Sequence, residues 1–222
     1  MISIIVPTCH RSQLLKQMLE SLKTTTQGFE LEVIALIDDD NESVKIALGF
    51  GCLVNPSNVK RGAIDCWNIG LKMCHGDLIV PAGDDQIFHD NWLKYAIESH
   101  IEKLNSSGVV GMNDLAYNGN TQLATMILFD RQYCKDHMGG VIAPPVYNYY
   151  CVDSEINAKA KSLNKFYWDE RSIIEHLHPA FGKREPDEHD KYREEKNFME
   201  LDNKIFDDRK SRGFPIEWDG LI

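Results

Sequence analysis

The stretch "GDLIVPAGDDQIF" at positions 76–88 sets two adjacent carboxylates, Asp84 and Asp85, just beyond an apolar run from Leu78 to Ala82. Like charges held that close are costly unless a cation or hydrogen-bond donors compensate them. Hard divalent ions such as Mn2+ or Mg2+ take oxygen ligands, and use one or two protein carboxylates together with phosphate oxygens of a substrate. One reading is therefore a metal that bridges Asp85 to a diphosphate; the other is a solvated pair ahead of the next helix. Asp38, Asp39 and Asp40, after the run Leu31–Ile37, carry the same two readings: acceptors for ribose hydroxyls and a base N–H, as in the nucleotide sites of doubly wound sheets, or a solvated turn. Thr8, Cys9, His10 and Arg11 offer hydroxyl, imidazole and guanidinium groups to a base and a phosphate, or simply start a helix. His176 and His178 lie two apart, so on a strand they would face one side and could ligate a metal together, although structural histidines account for such pairs as well.

Elements that would place these residues follow from periodicity. Ile2–Val6 has strand character up to Pro7, and Leu14, Leu15, Met18, Leu19 and Leu22 fall at helical spacing. Strand character returns at Leu31–Ile37, at Cys52–Val54, at Leu78–Pro81 and at Val109–Met112. Between these runs the pattern predicts a helix over Glu42–Phe50, one from Lys60 with Ile64, Trp67, Leu71 and Cys74 inward, and one capped by Asp90 with Leu93, Ile97, Ile101 and Leu104 inward. Such alternation implies a mainly parallel, twisted α/β sheet with helices on both faces, and ligands of such sheets bind beyond the carboxyl ends of the strands. All three clusters from the first half of the chain sit at those ends.

The second half predicts a strand over Gln122–Phe129, a proline-containing loop, a helix over Asp153–Leu163 and a strand through "RSIIEHLHP". Beyond Gly182 the chain is charge-dense, with Tyr192, Phe198, Leu201, Ile205 and Phe206 spaced for one amphipathic helix. The expected organisation is a domain over 1–182, divided at 112/113, and a mostly helical C-terminal appendage over 183–222.

Lys and Arg total 24 against 34 Asp and Glu among 222 residues, a formal net charge of −10. That excess disfavours broad attraction to nucleic acid or anionic lipid and favours a small-molecule partner. The opening "MISIIVPTCHRSQ" lacks the basic start and apolar length of a leader peptide, no run is long enough to insert stably in a membrane, and the six cysteines form no CxxC pair. A cytoplasmic protein with reduced thiols is expected.

Taken in order, "ISIIVPTCHRSQLLKQMLESL", "EVIALIDDDNES", "NIGLKMCHGDLIVPAGDDQIF" and "CVDSEINAKAKSLNKFYWDERSIIEHLHP" resemble the family 2 glycosyltransferases with the GT-A nucleotide-sugar-binding fold. The resemblance implies that Thr8 and His10 lie against base or ribose, with Arg11 and Asp38 in the same nucleotide-sugar site. Asp39 would accept from the base, Asp84 would contact the ribose or donor sugar, and Asp85 would bind Mn2+ or Mg2+ with His178 as a further metal or phosphate contact. Asp153 falls where the family has its general base, although an N-cap role fits the same residue. Three departures stand out: Val152 replaces the family's acidic residue before the base, Gly83-Asp84-Asp85 replaces a spaced DxD motif, and Trp67 replaces an arginine. Any diphosphate contact must then come from Lys60, Arg61 or elsewhere.

The activity so implied is inverting, metal-dependent transfer from a nucleotide-diphosphate sugar, most often a UDP-sugar, to a hydroxyl of an unknown acceptor: a glycan, a small molecule or a modified base. A non-catalytic nucleotide- or glycan-binding module and a sugar-nucleotidyltransferase on a similar sheet are the competing classes.

Overall fold

Alternation along the first strand sets the two faces of the sheet. In β1 (Ile2–Thr8), Ile2, Ile4 and Val6 enter one apolar cluster and Ile5 the other, the period of two expected of a strand covered on both sides. The computed structural model describes residues 1–116 and 123–217. Its first half runs α1 (Ser12–Thr25), β2 (Leu31–Asp38), α2 (Asn41–Gly49), β3 (Leu53–Ser57), α3 (Ala63–Met73), β4 (Leu78–Pro81), β5 (Gln86–Phe88), α4 (Trp92–Leu104) and β6 (Val109–Asn113). The second half adds β7 (Met126–Asp130), α5 (Arg131–His137), α6 (Val152–Ser162), β8 (Phe166–His176), α7 (Glu188–Glu195) and α8 (Phe198–Ser211).

Among the described residues one sheet of eight strands has the order β3-β2-β1-β4-β7-β6-β8-β5. Four pairings are parallel, β1 with β2 and β4, β2 with β3, and β6 with β8; β4–β7, β6–β7 and β5–β8 are antiparallel. Helix α1, through Leu15, Met18, Leu19 and Leu22, and helix α4, through Trp92 and Leu93, cover one face. The other face is covered by α3, α5 and α6 through Ile64, Leu71, Tyr133 and Ile156. This is the α/β, GT-A-type architecture expected, with every antiparallel pairing involving a strand after β4.

Two residues of α3 explain why that helix sits so close to the sheet. A Cβ at Gly70 would lie 2.3 Å from Ile5 Cγ2, so only glycine allows this approach. Asn68 Oδ1 accepts from the backbone of Ile142 and Ala143, and its Nδ2 donates to Ala143 O. One buried amide therefore pairs with a loop as a strand would and fixes the segment between α5 and α6.

Several boundaries differ from the sequence pattern. Asp90 does not cap α4: the N-cap is Asn91, left-handed at φ 63°. Ile101 is 54% exposed, because the inward face of α4 instead uses Trp92, Leu93, Ala96, Ser99, His100 and Leu104, with Trp92 packed on Phe88. Helix α5 and the three-residue β5 carry too few apolar positions to show a period. The expected strand from Gln122 begins outside the described residues, and Met126–Asp130 is its observed part. The single C-terminal helix is two, broken at Asn197 with φ 52°, and the buried side chains of α8 are Asp202 and Arg209. Among the described residues no helix is long and apolar enough to cross a membrane, and all six cysteines are free thiols.

Candidate functional site

The carboxylate pair is buried and built into the strand ends. Asp84 and Asp85 are 5% and 8% exposed, which removes the reading of a solvated turn. Strand β4 runs beside β1, Ala82 N donating to Ile5 O at 2.9 Å, so the chain beyond Ala82 emerges next to Thr8, whose hydroxyl donates to Asp84 Oδ2 at 2.7 Å. Trp67 Nε1 donates to Ala82 O at 3.0 Å; the indole that stands in place of an arginine thus ties α3 to the end of β4. From the other side, Leu177 N donates to Asp85 O at 2.8 Å, and the β5–β8 register sets Gln86 opposite His176. That register brings His176 Nε2 to 3.4 Å from Asp85 Oδ1. His178 packs on His176 with ring centres 5.0 Å apart, and its Nδ1 accepts from Ala180 N.

Two guanidinium groups meet these carboxylates, and a third joins them through Asp190. Arg11, at the N-cap of α1, reaches Asp84 Oδ1 at 3.3 Å and Asp85 Oδ2 at 3.6 Å through Nη1. Its Nε and Nη2 grip Asp187 in a fork at 2.7 and 3.0 Å. Arg184 approaches Asp85 Oδ2 at 3.4 Å and Asp190 at 2.5 and 3.1 Å. Arg193 pairs with Asp190 and lies 4.0 Å over the Tyr149 ring. Asp187 and Asp190 form the capping box of α7, so one acidic pair both starts the helix and organises the arginines.

Burial works against ionisation of Asp85, yet the His176 hydrogen bond and the charges of His176, Arg11 and Arg184 hold its carboxyl well below the usual range. Burial and the neighbouring Asp85 push Asp84 up to about 6, against Arg11 and Thr8. The pair therefore carries its first charge on Asp85.

Sequence reading missed Arg184, Asp187, Asp190 and Arg193 because a tract of alternating charge has the pattern of a solvated surface. The only local signal was Asp187-x-x-Asp190, a capping box following Pro186. The composition change at 182/183 is thus crossed by side chains of the appendage that reach the strand ends.

On the nucleotide side the acidic triple divides into three roles. Asp38, 3% exposed, accepts from Arg61 N and Nε and from Gly62 N. Arg61 also donates to Asn55, so both residues are spent on holding the 60–62 turn. Asp40 caps α2 through the N–H groups of Glu42 and Ser43. Asp39 alone points outward, 3.6 Å from His10 Nε2, and both residues are left-handed, at φ 50° and 52°. Two non-glycine residues in that region, facing each other across adjacent strand ends, store backbone strain of the kind found at binding sites.

Asp153 stands in the first turn of α6, beyond a left-handed Cys151 at the N-cap. It is therefore not the cap itself. Its Oδ1 accepts from Ser154 N at 2.7 Å. Burial raises its proton affinity, opposed by the Ser154 hydrogen bonds and by His176. Helix α8 fixes the chain on both sides of it. Asp202 accepts from Asn148 N and Nδ2, Tyr149 N and Tyr150 N at 2.7–2.8 Å. Arg209 makes a fork to Glu155, which also accepts from the Tyr147 hydroxyl.

The structure thus brings Thr8, Arg11, Asp84, Asp85 and His176 together with the α7 residues, leaves His10 and Asp39 open, and engages Asp38 and Arg61 with each other. Two carboxylates, imidazoles and guanidiniums at the carboxyl ends of an α/β sheet can hold a diphosphate, with or without a cation.

The family model described as "Glycosyl transferase family 2" matches residues 3–190. No curated protein matches the chain. Solved structures similar to it include the mannosyltransferase PcManGT of Pyrobaculum calidifontis in complex with GDP-Man and Mn2+, at a TM-score of 0.63 and 13% identity over 79% of this chain and 56% of that one. TarS 1-349 of S. aureus in complex with UDP-GlcNAc has a TM-score of 0.61 and 18% identity over 78% and 57%. Glucosyl-3-phosphoglycerate synthase of Mycobacterium tuberculosis, in complex with Mn2+, UDP-glucose and phosphoglyceric acid, has a TM-score of 0.60 and 14% identity over 80% and 71%. The chain spans a little over half the length of the first two.

Proposed function

Because the chain belongs to glycosyl transferase family 2, we propose that it transfers a sugar from a nucleotide-diphosphate sugar, a UDP-sugar in the first instance, to an acceptor hydroxyl with inversion, in the cytoplasm and with a divalent cation, Mn2+ or Mg2+. The observation that carries this reading is the buried Asp84–Asp85 pair, joined to Thr8 on one side and to His176 on the other.

The residues fit a cation. Asp85 Oδ1 and His176 Nε2 are 3.4 Å apart, close to the roughly 3 Å between neighbouring ligands of one ion with bonds of about 2.1 Å. Among the described residues no group of three or more His, Cys, Asp or Glu side chains could hold a metal. Diphosphate oxygens would therefore supply the remaining ligands, the habit of Mg2+-type ions. We assign His176 rather than His178 to the ion, since the His178 Nδ1 already accepts from Ala180 N. When bound, the ion supplies Lewis-acid stabilisation of charge on a diphosphate oxygen.

Asp153 is the general base in this proposal. With Oδ1 held by Ser154, Oδ2 takes the proton of the acceptor hydroxyl as that oxygen attacks the anomeric carbon from the face opposite the nucleotide. A carboxylate whose proton affinity is raised by burial is the better suited to this work. Arg11, fixed by Asp187 and Asp84, supplies preorganised positive charge beside the departing diphosphate. His10 and Asp39 would receive the base.

Titration calorimetry with UDP, GDP and dTDP, in Mn2+ and then in EDTA, tests the reading. Metal-dependent binding of one nucleotide, lost in Asp85→Ala and retained in Asp153→Asn, is expected. Binding of none overturns it in favour of a non-catalytic module, and near-normal transfer by Asp153→Asn would remove the assigned base.

A further inference from the structure

Arg184 is 11% exposed and satisfied at both terminal nitrogens, by Asp190, Glu185 O and Asp85, yet its Nε is buried with no hydrogen-bond partner. A buried guanidinium N–H left unpaired is costly and marks a place where an acceptor belongs. This arginine also touches Asp85 at 3.4 Å, the carboxylate to which the cation is assigned above.

The contacts of Asp85 define a conflict. Oδ1 faces His176, and Oδ2 faces Arg184 at 3.4 Å and Arg11 at 3.6 Å. A divalent ion on Asp85 places two positive charges beside these guanidiniums, and like charges at such range oppose each other strongly in a site excluded from water. Arg11 is held in place by the Asp187 fork and by Asp84. Arg184 belongs to the segment between β8 and α7 and is already paired to Asp190, so it keeps that partner on leaving Asp85. Of the two cations on Asp85, it is the one free to leave. A diphosphate would bring the acceptor oxygens that its Nε lacks.

We propose that Arg184 couples the metal to the nucleotide: it neutralises Asp85 while the site is empty, yields that carboxylate to the ion, and transfers its own charge to the diphosphate. Arg184 is a positioning residue here, and the inference rests on the reading of Asp85 as a metal ligand. Coupling is reciprocal, so each ligand tightens the other, and the factor expected for one such switch is about 10–100-fold.

The test measures Mn2+ binding by electron paramagnetic resonance of the free ion, without sugar donor, in the presence and absence of UDP, GDP and dTDP, on the full chain and on Arg184→Gln and Arg184→Lys. In wild type, nucleotide is expected to tighten Mn2+ binding about 10–100-fold. In Arg184→Gln, Mn2+ alone is expected to bind about tenfold more tightly, and nucleotide in saturating Mn2+ about tenfold more weakly, for the loss of one opposing and one favourable charge. Arg184→Lys retains a positive charge at Asp85 but has no Nε–H, so Mn2+ alone should bind as in wild type and nucleotide more weakly.

A merely structural arginine would weaken both ligands together in Arg184→Gln, and that result overturns the inference. So does unchanged affinity for both. If Arg184→Gln does not fold, Arg184→Lys decides, and nucleotide binding by it at wild-type strength overturns the proposal. Failure of wild type to bind any of UDP, GDP and dTDP with Mn2+ instead removes the functional reading itself.

Discussion

Replacing Asp202 by Asn tests whether the C-terminal helix is a structural part of the site. Its carboxylate accepts four N–H groups, from Asn148 N and Nδ2, Tyr149 N and Tyr150 N. An amide keeps one acceptor oxygen and turns its own N–H groups toward the other two donors, so two part-buried donors lose their partner. At about 1–3 kcal/mol for each buried group left unpaired, partly relieved by rearrangement of the exposed end of the loop, the expected loss is about 2–4 kcal/mol. That is a large part of the about 5–15 kcal/mol a domain of this kind commands. Urea denaturation should show a lower midpoint with an unchanged slope. Under folding conditions, transfer should fall more than nucleotide affinity, because residues 148–150 lead directly into the turn that carries Asp153. Leu201→Ala on the same helix is the control: Leu201 is 44% exposed and should cost less than about 0.5 kcal/mol. A loss below about 0.5 kcal/mol for Asp202→Asn, with transfer unchanged, would mean that other contacts hold the loop.

Gly70→Ala should destabilise although alanine is the better helix former by about 1 kcal/mol. The new methyl would meet Ile5 Cγ2 at 2.3 Å and Leu36 Cδ2 at 3.1 Å, so a net loss of about 1–3 kcal/mol in thermal or urea denaturation is expected from overpacking. Asp130 provides a pH prediction away from the site. Burial opposes its ionisation, but His100 and the N–H groups of Gly108 and Tyr133 lower its proton affinity in the folded state. Its contribution to stability is thus fully present above the unfolded-state value of about 3.9 and lost as pH falls through the lower folded value. The stability difference between wild type and Asp130→Asn should therefore shrink on acidification below about pH 4; a difference that grows there would contradict the assignment.

What could be read from the sequence follows from which physical signal each feature leaves. Strands β1, β2, β4 and β6 are buried on both faces and appear as apolar runs, and their carboxyl ends locate Thr8, Asp38–Asp40 and Asp84–Asp85. The helical stripe of α1 is as visible, since Leu15, Met18, Leu19 and Leu22 are all buried. In α4 the pattern misleads, because Ser99 and His100 take inward positions by bonding Asp169 and Asp130, and Ile101 is turned outward. Among the aspartates 38–40, identity alone could not separate three roles: whether a carboxylate caps a helix, holds an arginine or stays open depends on what folds back against it.

The C-terminal tract shows why the rest was hidden. Hydrophobic periodicity reports burial only of apolar side chains, whereas α8 buries Asp202 and Arg209 and leaves Leu201 and Met199 exposed. A search for an apolar face therefore finds Ile205 and Phe206, which pack on the core, but not the buried charges beside them. The same holds for Asp187 and Arg184, whose partners Arg11 and Asp85 lie far away in sequence. Such ion pairs carry no local signature, since an arginine that will meet a carboxylate across the fold is spelled like one that will meet water. A charged residue placed where water is excluded must nevertheless find its opposite charge or a ligand. Asp84 and Asp85 are buried in this sense, Arg11 and Arg184 nearly so, and their mutual compensation leaves one buried guanidinium nitrogen over. The functional content of the tract lies in that remainder: a lattice that closes on itself is sufficient for stability, while one donor short of an acceptor is prepared for an anion.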